Sequence, residues 1–513
     1  MRKDRTARRL KLWLGGSLAG VAIALSGPPD PNPPIAFVGI AALYMTLHST
    51  GVLSPKRAWS AFLTGWLCGT VCNLIALRWA VGMLESFGGF PWIAAAPTAL
   101  LLFMAQGLPL GIAAFCTATV AVRTWLIMPL AVSLAYSLTP AIFPWHPSVT
   151  QVPWLPWVQL AEVGGEPLLD ALWALVGCAG GHALLTRSRP AALVCICSLL
   201  IPYGYGALRI DQVEATRLES RAWSVGVVQP NVDIFDKLNP SLWHDQLANL
   251  QELTVELESQ GADLVVWPEN SYPYRIPRNQ RTDMTGSRRI LSAGVRGPII
   301  LGGVTVGGRC EIYNSIIALD SLGRIVEVSD KVELLAFGEY IPLWHQLPPL
   351  QEAFACPGVT PGTEPRLMSL AGARIGPLNC YEDVIADFAL EVTRGAPDFL
   401  VNVTNDAWFG DSAEPYLHEQ VARLRSIETR RDLVRSVNTG VSSHITATGA
   451  EAVHTESYER IGFLADVRKM TGFTPWVRYG DLYSPAFYLT LFWLFLVVRR
   501  ERTGTSYLRP RGF

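Results

Sequence analysis

Charge is what this sequence has least of. Only 17% of its 513 residues are Asp, Glu, Lys or Arg, and 42 basic against 43 acidic side chains leave a net charge of −1. With no basic excess, nothing could neutralise nucleic-acid phosphates in bulk, so no nucleic-acid partner is expected. The eight His include no His-Glu-x-x-His pair, and Cys310, Cys356 and Cys380 form no Cys-x-x-Cys. No metal site follows from such a set. A Gly-x-x-x-x-Gly-Lys-Ser/Thr loop is also missing, and no cofactor is expected. Repeats and low-complexity tracts are absent. Half of the residues are hydrophobic and 17 are Trp, which excludes a disordered chain.

The scarce charges are unevenly spread. Residues 12–206 hold eleven: Asp30, Lys56, Arg57, Arg78, Glu85, Arg123, Glu162, Glu166, Asp170, Arg187 and Arg189. A membrane helix needs roughly 17–25 apolar residues. Candidate spans are 10–26, 33–49, 58–77, 91–121, 124–143, 167–185 and 190–207, with an eighth at 482–498. The stretch 91–121 reaches about 46 Å, too long for one upright span and too short for two with a turn. Basic residues arbitrate, because Lys and Arg collect on the cytoplasmic side. Arg2, Lys3, Arg5, Arg8, Arg9 and Lys11 open the chain, and Arg499, Arg500, Arg502, Arg509 and Arg511 close it. Between them the basic connections (Lys56 and Arg57, Arg123, Arg187 and Arg189) alternate with connections that have none. That alternation requires 91–121 to be a single tilted or Pro-bent span. The expected architecture is a polytopic α-helical membrane domain of eight spans, with both termini cytoplasmic. Residues 1–207 would form a seven-helix membrane domain, 208–481 an external domain, and 482–513 the last helix and tail. Trp145, Trp154 and Trp157, on an outer loop without basic residues, read as an interfacial aromatic belt or as the lining of a lipid entrance.

The external stretch changes character. Its apolar runs are short, β-rich and bounded by turn residues: 224–228, 264–267, 299–306, 316–319, 324–328, 374–378, 399–403 and 433–436. Helical patterns at 241–259 (Ser241 a plausible cap), 384–394 and 415–430 lie between them. Such alternation makes a layered α/β fold around a buried sheet.

Three chemically able side chains follow apolar strands. Glu269 ends Leu-Val-Val-Trp-Pro-Glu-Asn, Lys331 follows Val-Ser-Asp, and Cys380 stands between Leu-Asn and Tyr-Glu-Asp. Strand ends in α/β sheets are where catalytic groups are positioned. A free Cys is mostly thiol at neutral pH. An ammonium beside it favours the thiolate, a carboxylate can take its proton, and the same ammonium can steady an oxyanion. Trp408 and Phe409, beside Asn405-Asp406, are either core aromatics or acyl contacts. His418 reads as a surface or capping residue.

Trp-Pro-Glu, then Lys with Phe-Gly-Glu-Tyr-Ile-Pro, then Asn-Cys-Tyr-Glu, then Asn-Val-Thr-Asn-Asp-Ala-Trp-Phe-Gly resembles the nitrilase (carbon–nitrogen hydrolase) superfamily. Set in an eight-span protein, these strings are similar to the apolipoprotein N-acyltransferase family of bacterial inner membranes. The resemblance implies a nitrilase-like α-β-β-α sandwich on a membrane platform, with the site on the periplasmic side. It implies Glu269 as general base, Lys331 as oxyanion-stabilising lysine and Cys380 as nucleophile. Glu339, Tyr381 and Glu382 would be supporting residues. The implied reaction takes an acyl chain from a phospholipid, chiefly phosphatidylethanolamine. It passes through a Cys380 thioester to the N-terminal amine of the diacylglyceryl-cysteine of an apolipoprotein. Asn270-Ser271, Ala336 and Thr404 depart from the family's usual residues and bear on substrate preference more than on the reacting groups. A membrane-bound amidase with water as acceptor is the alternative, since only the second nucleophile differs. A polytopic binding protein is a rival that the three reactive side chains argue against. The pairing of Cys310 with Cys356 stays open.

Overall fold

In the computed structural model, residues 2–480 are described, together with Leu482, Leu489, Thr490 and Trp493. The expected eighth span and cytoplasmic tail lie outside the described residues. The chain divides into two compact units, one comprising Met1–Arg209 and Arg478–Phe513, the other Ile210–Val477.

The first unit is helical. Among the described residues, four helices are long and apolar enough to cross a membrane: Pro55–Ala76, Trp92–Val120, Ala161–Thr186 and Arg189–Leu218. Pro33–Ser49 and Thr124–Leu138 are shorter apolar helices. The ambiguous stretch is helical from Trp92 to Gln106 and from Leu108 to Val120. Gly107 between them keeps helical angles (φ −79°, ψ −14°), so the axis is interrupted without a turn back. Pro109 opens the second segment, where its missing N–H costs least. Small residues let these helices approach closely, as packing in lipid favours. A Cβ on Gly69 would lie 2.5 Å from the Gly107 carbonyl oxygen, and one on Gly65 2.3 Å from that of Leu110. Large apolar side chains face outward instead, among them Trp59 (68% exposed), Ile93 (78%) and Leu184 (76%). That distribution suits lipid and would be a liability in water.

The loop that carries Trp145, Trp154 and Trp157 departs from expectation. Trp157 is fully buried, donates to the Ser198 carbonyl (3.3 Å) and meets Phe37 edge-on at 5.5 Å. Trp145 donates to Asn73 Oδ1 at 3.1 Å. Both anchor the loop to helices of this unit, because an indole with a buried N–H needs a partner, so Trp157 belongs to the core and not to an aromatic belt.

The second unit holds two sheets. The first orders its strands Ile461–Arg468, Ala222–Gln229, Leu264–Val266, Ile299–Val306, Ile312–Leu319, Ile325–Asp330, and Tyr272–Pro277 also pairs with Ile299–Val306. The second runs Glu451–His454, Ser443–Ile445, Leu433–Val437, Phe399–Thr404, Ala373–Asn379, Met368–Leu370. The central strands pair in parallel, Ala222–Gln229 through Leu264–Val266 to Ile299–Val306 and Ala373–Asn379 through Phe399–Thr404 to Leu433–Val437, and Tyr272–Pro277 is also parallel to Ile299–Val306. One apolar cluster draws on both sheets, with Val225, Val266 and Ile300 from the first and Ile375, Phe399 and Val401 from the second. Another joins the first sheet to Leu247, Leu250, Leu253 and Leu257 of helix Trp243–Ser259. A third joins Leu378, Leu400 and Leu433 to Phe388 and Val392 of helix Ala386–Arg394 and Ala422 of helix Glu414–Thr429. Both sheets are thus buried on two sides, the condition under which central strands read as unbroken apolar runs. Asn239, not Ser241, caps the turn before Trp243: its Oδ1 accepts from the Ser241 N–H at 3.1 Å.

Candidate active site

The C-terminal ends of the parallel strands carry the polar side chains, where a doubly covered sheet leaves a crevice. Glu269 follows Leu264–Val266, Cys380 follows Ala373–Asn379, and Asp406 follows Phe399–Thr404. Lys331 comes off the antiparallel strand Ile325–Asp330 and is almost fully buried, as is Glu269. Its Nζ lies 2.8 Å from Glu339 and 3.6 Å from Glu269 Oε1. Burial works to lower this ammonium, and the Cys380 sulfur, Glu269 and Glu339 overcome it, holding Lys331 above its ordinary range. Glu339 is fixed in turn by the Leu335 N–H at 2.9 Å.

Asn314 joins the two carboxylates, a role the sequence reading missed. Its amide donates to Glu269 Oε1 (2.6 Å) and to Glu339 Oε1 (3.0 Å), while its Oδ1 accepts from Asn379 at 3.1 Å. With donors and acceptor all engaged, the amide orients both acids and the residue before the nucleophile. The only signal was a polar Asn314-Ser315 pair inside an otherwise apolar strand.

Cys380 has φ +52°, a left-handed conformation uncommon for a side-chain-bearing residue. Strain of this kind persists where the surroundings over-determine it. Here Glu382 supplies the constraint. Its Oε1 accepts from the Val332 and Glu333 N–H groups (2.7 and 3.2 Å) and its Oε2 from Asn379 N–H (2.8 Å). One carboxyl therefore ties the Lys331 loop to the nucleophile turn, and burial raises it to about 8 against those N–H bonds. Tyr381 beside it is half-buried, its phenol pushed up to about 12 chiefly by burial.

The sulfur does not behave as the ammonium alone would predict. Burial first, then Glu269, push the Cys380 thiol well above its usual value, with Lys331 and the Thr404 hydroxyl opposing. The resting group is a neutral thiol, because two carboxylates share the one ammonium.

Behind the nucleophile lies a buried ion cluster. His418 is no surface residue: it is 5% exposed, its Nε2 2.6 Å from Asp383 Oδ1 and its Nδ1 3.0 Å from Asp406 Oδ1. Burial opposes the charge on this ring, but Asp383 and Asp406 raise it to about 10. Arg435 adds a second cation at 2.9 Å from Asp383 Oδ2. His418 thereby clamps the turn that carries Cys380 to the turn Asp406–Phe409 that carries Trp408 and Phe409. Trp408 is 42% exposed and Phe409 half-buried. Asp406, Glu414 and His418 lie close enough to hold a metal ion, but both ring nitrogens donate to carboxylates and keep no lone pair for one.

Two segments complete the surroundings. Lys237 ends the short helix Ile234–Lys237, and its Nζ donates to the Glu269 carbonyl at 3.2 Å. Cys310 and Cys356 form a disulfide with 5.5 Å between Cα atoms, closing the loop that contains Glu339.

Residues 224–462 match the carbon–nitrogen hydrolase family model, and residues 19–179 match that of the apolipoprotein N-acyltransferase N-terminal domain. The apolipoprotein N-acyltransferase of Allorhizobium ampelinum is 32% identical over 87% of this chain and 89% of its own. That of Rhizobium leguminosarum is 31% identical over 90% and 92%. That of Geobacter metallireducens is 28% identical over 92% of each. Among solved structures, an amidase from Nesterenkonia matches at 15% identity and a TM-score of 0.36, over 48% of this chain and 90% of that one. With nitrilase-like sheets in one unit and apolar, membrane-length helices in the other, the chain belongs to the apolipoprotein N-acyltransferase family.

Proposed function

We propose that this membrane protein moves an acyl chain from a phospholipid, with phosphatidylethanolamine the natural donor, to the N-terminal amine of the diacylglyceryl-cysteine of apolipoproteins. The observation that carries the reading is the meeting of Glu269, Lys331 and Glu339, tied through Asn314 and Glu382 to the turn that holds Cys380 at positive φ. Cys380 Sγ attacks the ester carbonyl while Glu269 takes the S–H proton. Lys331, with a backbone N–H of the nucleophile turn, steadies the oxyanion. Collapse breaks the C–O bond, and the lysophospholipid leaves with the proton from Glu269. The acceptor amine then attacks the thioester, gives a proton to Glu269, and the sulfur departs to be reprotonated. This is a ping-pong cycle with a Glu269-Lys331-Cys380 triad. Glu339, Tyr381 and Glu382 support it, and Trp408 and Phe409 contact the acyl chain.

The same reading extends to architecture. The two sheets with helices outside make an α-β-β-α sandwich over 208–481. Eight spans, seven in 1–207 and one in 482–513, set it on the periplasmic face of a bacterial inner membrane, with both termini cytoplasmic. The Cys310–Cys356 bond supports an oxidising compartment, and the basic residues at both ends support the orientation.

Intact-mass measurement distinguishes the outcomes. Protein mixed with phosphatidylethanolamine gains one acyl group on Cys380, loses it when a diacylated lipopeptide is added, and gains none as Cys380→Ala. An adduct that decays as fast in plain buffer identifies an amidase using water. No adduct in the wild type overturns the catalytic reading.

A further inference from the structure

The site is short of positive charge for the phosphodiester of a phospholipid donor. Glu269 and Glu339 both engage Lys331, so two carboxylates already surround that ammonium. A phosphodiester brings a further negative charge, and an acid-rich crevice repels it unless another cation is at hand. Lys237 is placed to be that cation. Among the described residues its ammonium donates to a neutral acceptor, the Glu269 backbone carbonyl, at 3.2 Å. Burial brings this ammonium down to about 8 although Glu269 and the Cys380 sulfur act to raise it, so it still carries its charge at neutral pH, within the field of the reacting groups. The turn that presents it is rigid. Trp243 Nε1 donates to the Lys237 carbonyl (3.1 Å), Gln246 Nε2 to that of Asp236 (2.7 Å), and Asp233 Oδ1 caps the Phe235 N–H (2.8 Å). The side chain is half-buried, so its ammonium keeps donors to offer a ligand. Resting on the acyl-transfer reading above, we propose that Lys237 binds the phosphodiester of the acyl donor and selects phospholipids over uncharged esters. A compact ammonium suits a phosphate oxygen as a point charge.

The experiment uses the full chain in nanodiscs and follows acylation of Cys380 by intact mass. Two donors with the same acyl chain are compared, phosphatidylethanolamine and the uncharged 4-nitrophenyl ester. Lys237→Met should lower kcat/KM for the phospholipid at least tenfold more than for the ester, mostly through KM, and Lys237→Arg should recover most of it. Inorganic phosphate at tens of millimolar separates the sources. Competition in the wild type, weakened in Lys237→Met, means a subsite open to any phosphate. Donor selectivity without such competition means one that takes only the headgroup of a seated lipid. Equal loss on both donors would place Lys237 in the chemistry of Glu269 or Cys380 and overturn the proposal, as would no loss on either. Absence of a wild-type adduct from either donor is a different failure, that of the acyl-transfer reading.

Discussion

At Cys380, burial and the Glu269 carboxylate outweigh the neighbouring ammonium, and the balance can be read chemically. A thiol held well above its usual value is a poor target for an alkylating agent until hydroxide removes its proton. Iodoacetamide should therefore modify Cys380 at pH 7 at least about tenfold more slowly than free cysteine, with a rate still climbing past pH 9. A plateau near pH 7 would mean a preformed thiolate and would remove the need for Glu269 as base. Under the concerted scheme, Glu269→Gln and Lys331→Ala should each lose roughly 10² or more in the acylation rate, and near-normal turnover in either variant contradicts the assigned role. Asn314→Leu should lose about tenfold or more in the same rate with KM little changed, since it touches the acids and not the substrate. Glu269, Lys331, Glu339 and Cys380 were legible because each stands in a short contiguous string. Asn314 and His418 were not. Asn314 meets Glu269 across 45 residues and His418 meets Asp383 across 35, and such partners are brought together only by the sheets. The balance of charge and burial on the sulfur was not legible for a related reason: charges can be counted in a sequence, but their desolvation cannot.

Between elements, two fastenings hold the site. The His418 clamp has a pH signature. Its folded-state value, about 10, lies above the ordinary 6.5, so its contribution to stability is complete below pH 6.5. Above that the unfolded chain gives up the proton first, and the contribution fades until it is lost beyond about 10. Thermal unfolding of the wild type should thus fall more steeply from pH 6.5 to 10 than that of His418→Asn. Parallel curves would mean that the ring is neutral and the clamp uncharged. The second fastening is the Cys310–Cys356 bond across 46 residues of sequence. On the chain-entropy model its removal costs about 4 kcal/mol. Cys310→Ser/Cys356→Ser should expose the 310–356 loop to protease and lower turnover through Glu339, whereas unaltered proteolysis would make the bond incidental. Most central strands were legible as β-rich apolar runs. Tyr272–Pro277, Met368–Leu370, Ser443–Ile445, Glu451–His454 and Ile461–Arg468 were not. Four of these run only three to six residues, too short for an alternating pattern to stand out, and Glu451–His454, Met368–Leu370 and Ile461–Arg468 lie at sheet edges.

Over the whole molecule, the distribution of charge foretold a membrane part and an α/β part, and length fixed the helices better than their ends. Residues 190–207 open a helix that continues to Leu218, because Arg209, Asp211 and Glu214 end the hydrophobicity without ending the helical propensity. The proposed placement of the site at the membrane surface makes a prediction about acyl-chain length. Drawing a tail into water costs about 0.8 kcal/mol per methylene, so lengthening it by four methylenes would cost about 3 kcal/mol, roughly 200-fold in rate. A site that lifts only the ester and leaves the tail among lipids avoids that penalty. Donors with 14- and 18-carbon chains, at equal mole fraction in nanodiscs of one host lipid, should then acylate Cys380 at rates within about tenfold of each other. A loss approaching 200-fold for the longer chain would mean that the tail leaves the hydrocarbon during reaction and would overturn that placement.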